Sequence, residues 1–117
     1  MGNLIIVVED DRDILDMIQY ILTDAGYKVV GYDHLINIEN IIEKRPSLLL
    51  LDERLADGYG STICLELKSN PLTKQIPVIL VSAVINLPQI AKDCGADAYL
   101  NKPFDLNELI KLVQQHT

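Results

Sequence analysis

Residues 48–60 read Leu-Leu-Leu-Leu-Asp-Glu-Arg-Leu-Ala-Asp-Gly-Tyr-Gly, and this stretch decides the fold. The four leucines are too few for a helix between their flanks. They describe a strand buried on both faces, as in a parallel sheet. The run stops at a carboxylate, Asp52, and Asp57-Gly58 then supplies a turn. Two other apolar runs also deliver charge at their ends: Leu4–Val8 leads into Glu9-Asp10-Asp11, and residues 98–100 lead into Asn101-Lys102-Pro103. In an open parallel sheet such ends lie side by side, with ligands in the crevice beyond them. Several carboxylates and one lysine gathered there describe a site for a divalent cation and a phosphoryl group.

Working outward, five short apolar runs alternate with five helical patterns. Residues 12–25 place Ile14, Ile18, Ile21, Leu22 and Ala25 on one helical face, with Gly26 positioned to stop the helix. Lys28–Tyr32 is a weaker strand. Residues 35–44 form a short helix carrying Ile38, Ile41 and Ile42, ended by the approach to Pro46. Residues 59–68 carry Ile63, Cys64 and Leu67 at helical spacing, and residues 78–81 form the fourth strand. A compact helix over 87–94 stops before Gly95, and 98–100 is the fifth strand. Asp105 and Glu108 have capping-box spacing and open a last helix on Leu106, Leu109, Ile110 and Val113. Strands alternating with helices through short links imply right-handed βαβ units, hence a parallel sheet covered on both faces.

The chain has 117 residues, which predicts one domain over 1–117 with a core that needs no staples. It ends with its fifth predicted helix, so any output domain is expected outside it. No apolar run approaches the roughly 18 residues that cross a bilayer. No signal peptide is visible, and residue 6 is Ile5's neighbour Ile6 rather than Ser or Thr, which removes a myristoylation signal. Cys64 and Cys94 have neither metal nor redox spacing and read as reduced thiols of a cytoplasmic protein. Seventeen acids against ten bases leave a net charge of −7, which opposes nucleic-acid or anionic-membrane binding by this domain.

Glu9, Asp10 and Asp11 stand where the first strand gives way to the first helix. Acids favour helix starts, and Asp11 is assigned the cap. That role does not explain why Asp52 reaches the same edge from another strand. Carboxylates gathered there raise at least one pKa, and a hard cation relieves the repulsion. A carboxylate is also a nucleophile towards phosphorus, and Lys102 balances phosphoryl charge. Ser82 ends the fourth strand, where its hydroxyl can donate to a phosphoryl oxygen.

Taken together, these segments resemble the receiver domain of bacterial two-component response regulators over nearly the whole chain. Ile-Ile-Val-Val-Glu-Asp-Asp from residue 5 is similar to that family's first strand and acid pocket. Asp52-Glu-Arg-Leu-Ala-Asp-Gly is similar to its phosphoacceptor motif, Ile-Pro-Val-Ile-Leu-Val-Ser-Ala to its fourth strand, and Gly-Ala-Asp-Ala-Tyr-Leu-Asn-Lys-Pro-Phe to its final strand and lysine. The resemblance implies a flavodoxin-like, doubly wound, three-layer α/β fold with five strands ordered 2-1-3-4-5 and five helices, the order known for this family's chemotaxis member. It implies Asp52 as phosphoacceptor, and Mg²⁺ (or Mn²⁺) held by Glu9, Asp10, Asp52 and the Arg54 main-chain carbonyl. Ser82 and Tyr99 become the switch residues, Lys102 the phosphoryl contact, and Arg54 and Val84 the positions that tune phosphoryl lifetime. The partners it implies are a sensor histidine kinase or histidine phosphotransfer protein and a downstream output protein or domain. The protein would be a monomer or a weak phosphorylation-dependent dimer, signalling through helix 4, strand 5 and helix 5 with no external substrate of its own.

Departures from that family are visible. Ala56 stands where proline is usual, and Ala98 where members that dimerise through the output face commonly carry an acid. The wide apolar arc of the first helix has two readings: ordinary burial, or contact of Leu15 or Met17 with the donor's helix. Among rivals, an aspartate-dependent phosphatase wants a second Asp two residues after the first, where this chain has Arg54, which cannot transfer that proton. A flavin or nucleotide module would offer small residues to phosphate in the first loop, not Glu-Asp-Asp. A cobalamin module would need a His near Asp52. A receiver fold used only for unregulated binding would not require the intact constellation.

Overall fold

The computed structural model describes residues 3–117; Met1 and Gly2, part of the acylation argument, lie outside them. In chain order the first elements are β1 (Leu4–Val8), α1 (Arg12–Asp24), β2 (Lys28–Tyr32), α2 (Ile38–Lys44) and β3 (Leu48–Leu51). A two-residue pair follows, β4 (Arg54–Leu55) and β5 (Gly58–Tyr59), and then α3 (Gly60–Lys68). The chain closes with β6 (Val78–Ser82), α4 (Leu87–Cys94), β7 (Ala98–Asn101) and α5 (Leu106–His116). The main sheet is parallel throughout, in the order β2-β1-β3-β6-β7. With the small antiparallel β4–β5 pair set aside, this is the expected order 2-1-3-4-5.

Successive strand residues point to opposite faces, and the sequence supplies an apolar side chain to both. Ile6, Val8, Leu49, Leu51, Val78 and Leu80 face α2, α3 and α4, packing on Ile41, Ile63, Leu67 and Ala91. Ile5, Val7, Leu48, Leu50, Ile79 and Val81 face α1 and α5, packing on Leu15, Ile18, Leu22, Leu109 and Val113. Each fully buried Leu or Ile is worth roughly 1.5–3 kcal/mol over exposure. All four leucines of β3 are at most 1% exposed, so β3 is the strand most committed to the interior. The residues just after it are therefore held firmly.

The helix ends follow their local chemistry. Asp11 caps α1, its side chain accepting from the amides of Asp13 and Ile14, and Gly26 adopts a φ of 100° just beyond it. Asp105 and Glu108 form the expected capping box. α2 starts at Ile38 rather than 35, because Asn37 caps it by accepting from Asn40 N–H at 2.9 Å. It ends on Arg45 in the left-handed region, φ 49°, one residue before Pro46. β6 and β7 each run one residue further than expected, to Ser82 and Asn101. The β4–β5 pair around the Asp57-Gly58 turn was not anticipated.

The structure separates the two residues offered for donor contact on α1. Leu15 is 2% exposed and belongs to the core under α1, which is the ordinary-burial reading of that residue. Met17, two residues on, is exposed. The arc looked wide because helical periodicity does not distinguish the stripe that docks on a sheet from its flank. Cys64 and Cys94 are free and buried; the Cys64 thiol donates to the Cys94 carbonyl at 3.3 Å, and burial pushes it above the ordinary thiol range.

Candidate functional site

Three backbone hydrogen bonds carry the ladder one residue past the strand ends. Glu9 N–H donates to Tyr32 O (2.9 Å), Asp52 N–H to Val8 O (2.9 Å), and Lys102 N–H to Ser82 O (2.9 Å). Neighbouring strands in parallel register therefore place Glu9, Asp52, Ser82 and Lys102 on one edge of the sheet. The Lys102–Pro103 peptide bond there is cis.

The side chains meet as the sequence predicts. Lys102 Nζ lies 2.7 Å from Glu9 Oε1 and 3.0 Å from Asp52 Oδ2. The other oxygen of each carboxylate also accepts: Glu9 Oε2 from Asp11 N–H at 3.2 Å, and Asp52 Oδ1 from Arg54 N–H at 3.3 Å. Glu9 and Asp52 are buried and Asp10 is exposed, yet carboxylate oxygens of all three lie within 4.8 Å of one another. Asp52, Arg54, Ser82, Val84 and Lys102 line an open cleft of about 610 Å³ with Ala83, Ile85 and Asn86.

The electrostatics are unbalanced. Burial, only partly offset by the hydrogen bond from Lys102 and reinforced by the charge of Asp52, pushes the Glu9 carboxyl up to about 7. Burial by itself would lower the Lys102 ammonium; its bonds to Glu9 and Asp52 reverse this and hold it above the ordinary lysine range. One ammonium thus pairs with two of the three carboxylates, and Asp10 adds a further negative charge beside them. An all-oxygen, net-negative donor set of this kind fits a hard divalent cation such as Mg²⁺ or Mn²⁺.

Not every predicted residue joins the cleft. Tyr99 lies on β7 with its side chain 42% exposed, and it lines a separate groove with Pro88, Lys92 and Ala98. Met17 sits on the outer surface of α1. Sequence reasoning missed two residues that shape the site. Gly60 has no space for a side chain, since a Cβ there would strike the main-chain carbonyl of Asp52. Glu53 is buried and bonds to Ser61. A glycine after the turn was a usable signal for the first. No local pattern marks the second, whose partner lies eight residues away.

Comparison with known proteins agrees with this geometry. The family model described as response regulator receiver domain matches residues 5–114. Among curated relatives, the phosphate regulon transcriptional regulatory protein PhoB of Escherichia coli (strain K12) is 34% identical over 97% of this chain and 51% of its own length. The chain spans about half the length of the curated relatives it matches. Of solved structures, a CheY-like response regulator receiver domain protein from Methanospirillum hungatei JF-1 superposes with a TM-score of 0.88 at 27% identity, covering 98% of this chain and 93% of that one. The receiver domain of sensor histidine kinase PA1611 from Pseudomonas aeruginosa PAO1 gives 0.88 at 25% identity, covering 99% and 98%; a magnesium ion is coordinated in its active site cleft.

Proposed function

This chain belongs to the response regulator receiver domain family of two-component signalling, and from that premise we propose that residues 1–117 act as one unit whose Asp52 accepts a phosphoryl group. The donor is a phosphohistidine on a sensor kinase or phosphotransfer protein. The observation that carries this is the shared Lys102 ammonium, 2.7 Å from Glu9 and 3.0 Å from Asp52, with a third carboxylate, Asp10, whose oxygen lies within 4.8 Å of theirs.

An Asp52 carboxylate oxygen forms the new bond to phosphorus as the bond to the donor's imidazole nitrogen breaks. The electron pair stays on the imidazole, which then takes a proton. Arg54 N–H and Lys102 Nζ hold the two Asp52 oxygens, so the nucleophile is oriented before the donor arrives. Glu9, Asp10, Asp52 and the Arg54 main-chain carbonyl would hold the cation. When bound, Mg²⁺ or Mn²⁺ supplies charge neutralisation for the phosphoryl oxygens. Lys102 remains within reach of the added charge, and the Ser82 hydroxyl lies in the same cleft.

Signalling follows as a population shift, with Ser82 drawn towards the phosphoryl group and Tyr99 turning inward to reshape the α4–β7–α5 face. Arg54 and Val84 border the path by which water reaches the acyl phosphate and so tune its lifetime. The family is a signalling family rather than an enzyme family; the unit has no external substrate of its own. Among the described residues no helix is long and apolar enough to cross a membrane. A cytoplasmic setting suits the two free cysteines. Downstream, the phosphorylated face meets an output protein or domain, with the receiver a monomer or weak dimer, and the net charge of −7 leaves nucleic-acid contact to that partner.

The test is intact-mass analysis after exposure to a small acyl phosphate with and without Mg²⁺. One metal-dependent phosphoryl adduct is expected, lost in Asp52→Ala and retained in Asp57→Ala. An adduct that survives Asp52→Ala would refute the assignment.

A further inference from the structure

We propose that Glu53 is a positioning residue for the Asp52 carboxylate, a role that rests on Asp52 being the phosphoacceptor. Glu53 directly follows Asp52, yet it is only 6% exposed. Its carboxylate accepts from Ser61 N–H at 2.8 Å and from the Ser61 hydroxyl at 2.9 Å. Its main-chain carbonyl accepts from Gly60 N–H at 3.0 Å. One residue is thus joined by three hydrogen bonds to the first turn of α3.

That turn needs such a partner. The residue in the N-cap position of α3 is Tyr59, whose side chain makes no cap bond, so the orphan amides at the start of the helix lack the usual local acceptor. Glu53 supplies one from the far side of the β4–β5 pair. The amide, the hydroxyl and the positive end of the helix together compensate a carboxylate that would otherwise be costly to bury.

The consequence reaches the nucleophile. The segment closed by these bonds begins with Arg54, whose N–H holds Asp52 Oδ1 at 3.3 Å. At the segment's other end, Gly60 presses against the Asp52 carbonyl with no room for a side chain. Fastening 53 to 60 and 61 therefore fixes the amide that orients Oδ1, while Lys102 holds Oδ2. With the clamp removed, the β4–β5 pair is free to rock on its turn. The Arg54 amide then leaves Oδ1, and the acceptor enters the reaction less well aligned.

The experiment is the initial rate of Asp52 labelling by acetyl phosphate with Mg²⁺, read by intact mass on the whole chain across a range of donor concentrations. Urea unfolding is run alongside to keep every variant in its folded range. Glu53→Met, close in size but without an acceptor, is expected to lower the maximal rate about tenfold with little change in the half-saturating donor concentration. Glu53→Gln keeps a carbonyl acceptor for Ser61 N–H and should recover to within about threefold of wild type, the loss of one shared bond. Ser61→Ala removes only the hydroxyl and should fall between the two. A wild-type maximal rate in Glu53→Met overturns the proposal, as does Glu53→Gln labelling as slowly as Glu53→Met, which would assign the effect to charge. Should Glu53→Met not fold, Ser61→Ala decides: a lowered maximal rate supports the clamp and an unchanged one overturns it. If wild type takes no label at all, the phosphoacceptor reading fails and this inference with it. A labelled wild type with indifferent variants removes only the role of Glu53.

Discussion

Gly60 faces the main-chain carbonyl of Asp52 so closely that even a methyl group would collide with it. The contact couples the first residue of α3 to the backbone of the acceptor, and β3 cannot yield because Leu48–Leu51 is buried on both faces. Gly60→Ala is therefore expected to destabilise the fold by about 3 kcal/mol, at the upper end for an overpacked site, and to slow labelling of Asp52. Gly26→Ala is the control. Nothing lies within 4 Å of its added Cβ, so only the left-handed backbone is strained, at about 1 kcal/mol. Urea midpoints compare the two; equal losses would contradict the close approach.

Lys102→Met removes the countercharge from two buried carboxylates. A loss of about 3 kcal/mol is expected at pH 8, the range for breaking a buried pair. The sign with pH follows from Glu9. Its carboxyl is raised from 4.5 to about 7 even with the ammonium in place, so between those values the folded state binds the extra proton. Stability therefore falls as pH rises through that window. Without Lys102 the carboxyl rises further, and the variant's deficit should shrink at pH 5, where Glu9 is neutral. A deficit independent of pH would show that lost packing, not charge, is responsible.

Divalent cations should stabilise the folded chain by mass action. Saturation at a hundred times Kd corresponds to about 2.7 kcal/mol, and Tm should climb with the logarithm of Mg²⁺ concentration. Asp10 separates binding from structure, because it is exposed. Asp10→Asn should leave metal-free stability within about 0.5 kcal/mol of wild type while abolishing most of the Mg²⁺-dependent rise. A full rise in Asp10→Asn, measured by thermal melts in chelator and in Mg²⁺, would take Asp10 out of the donor set.

Cys64 predicts a loss of stability at alkaline pH. Burial first, and the neighbouring Cys94 second, raise its thiol above the ordinary value of 9.0. Above that pH the unfolded chain has lost a proton that the folded chain keeps. Stability from this group then falls with rising pH, by up to about 1.4 kcal/mol per unit. Cys64→Ala should unfold with a shallower decline between about pH 9 and 10.5, where wild type loses the larger share. Parallel declines in the two proteins would remove the thiol as the cause.

What could be read from the residues alone was whatever depends on near neighbours or on the rules of sheet topology. Unbroken apolarity in Leu48–Leu51 marked a strand covered on both faces. Asp11 and the Asp105–Glu108 pair marked helix starts, and the alternation of strands and helices implied a parallel order. Parallel strands share one carboxyl edge, so Glu9, Asp52, Ser82 and Lys102 belong to that edge, and the resemblance to the receiver family supplied the strand order that brings them near one another. Tertiary structure alone decided which flank of α1 is covered, and it buried Leu15 while leaving Met17 in water. It alone paired Glu53 with Ser61 and closed Gly60 onto Asp52. Periodicity and capping act over three or four residues, whereas these contacts depend on how one packed layer is set against the next. That placement comes from the balance of the whole core, and no short segment contains it.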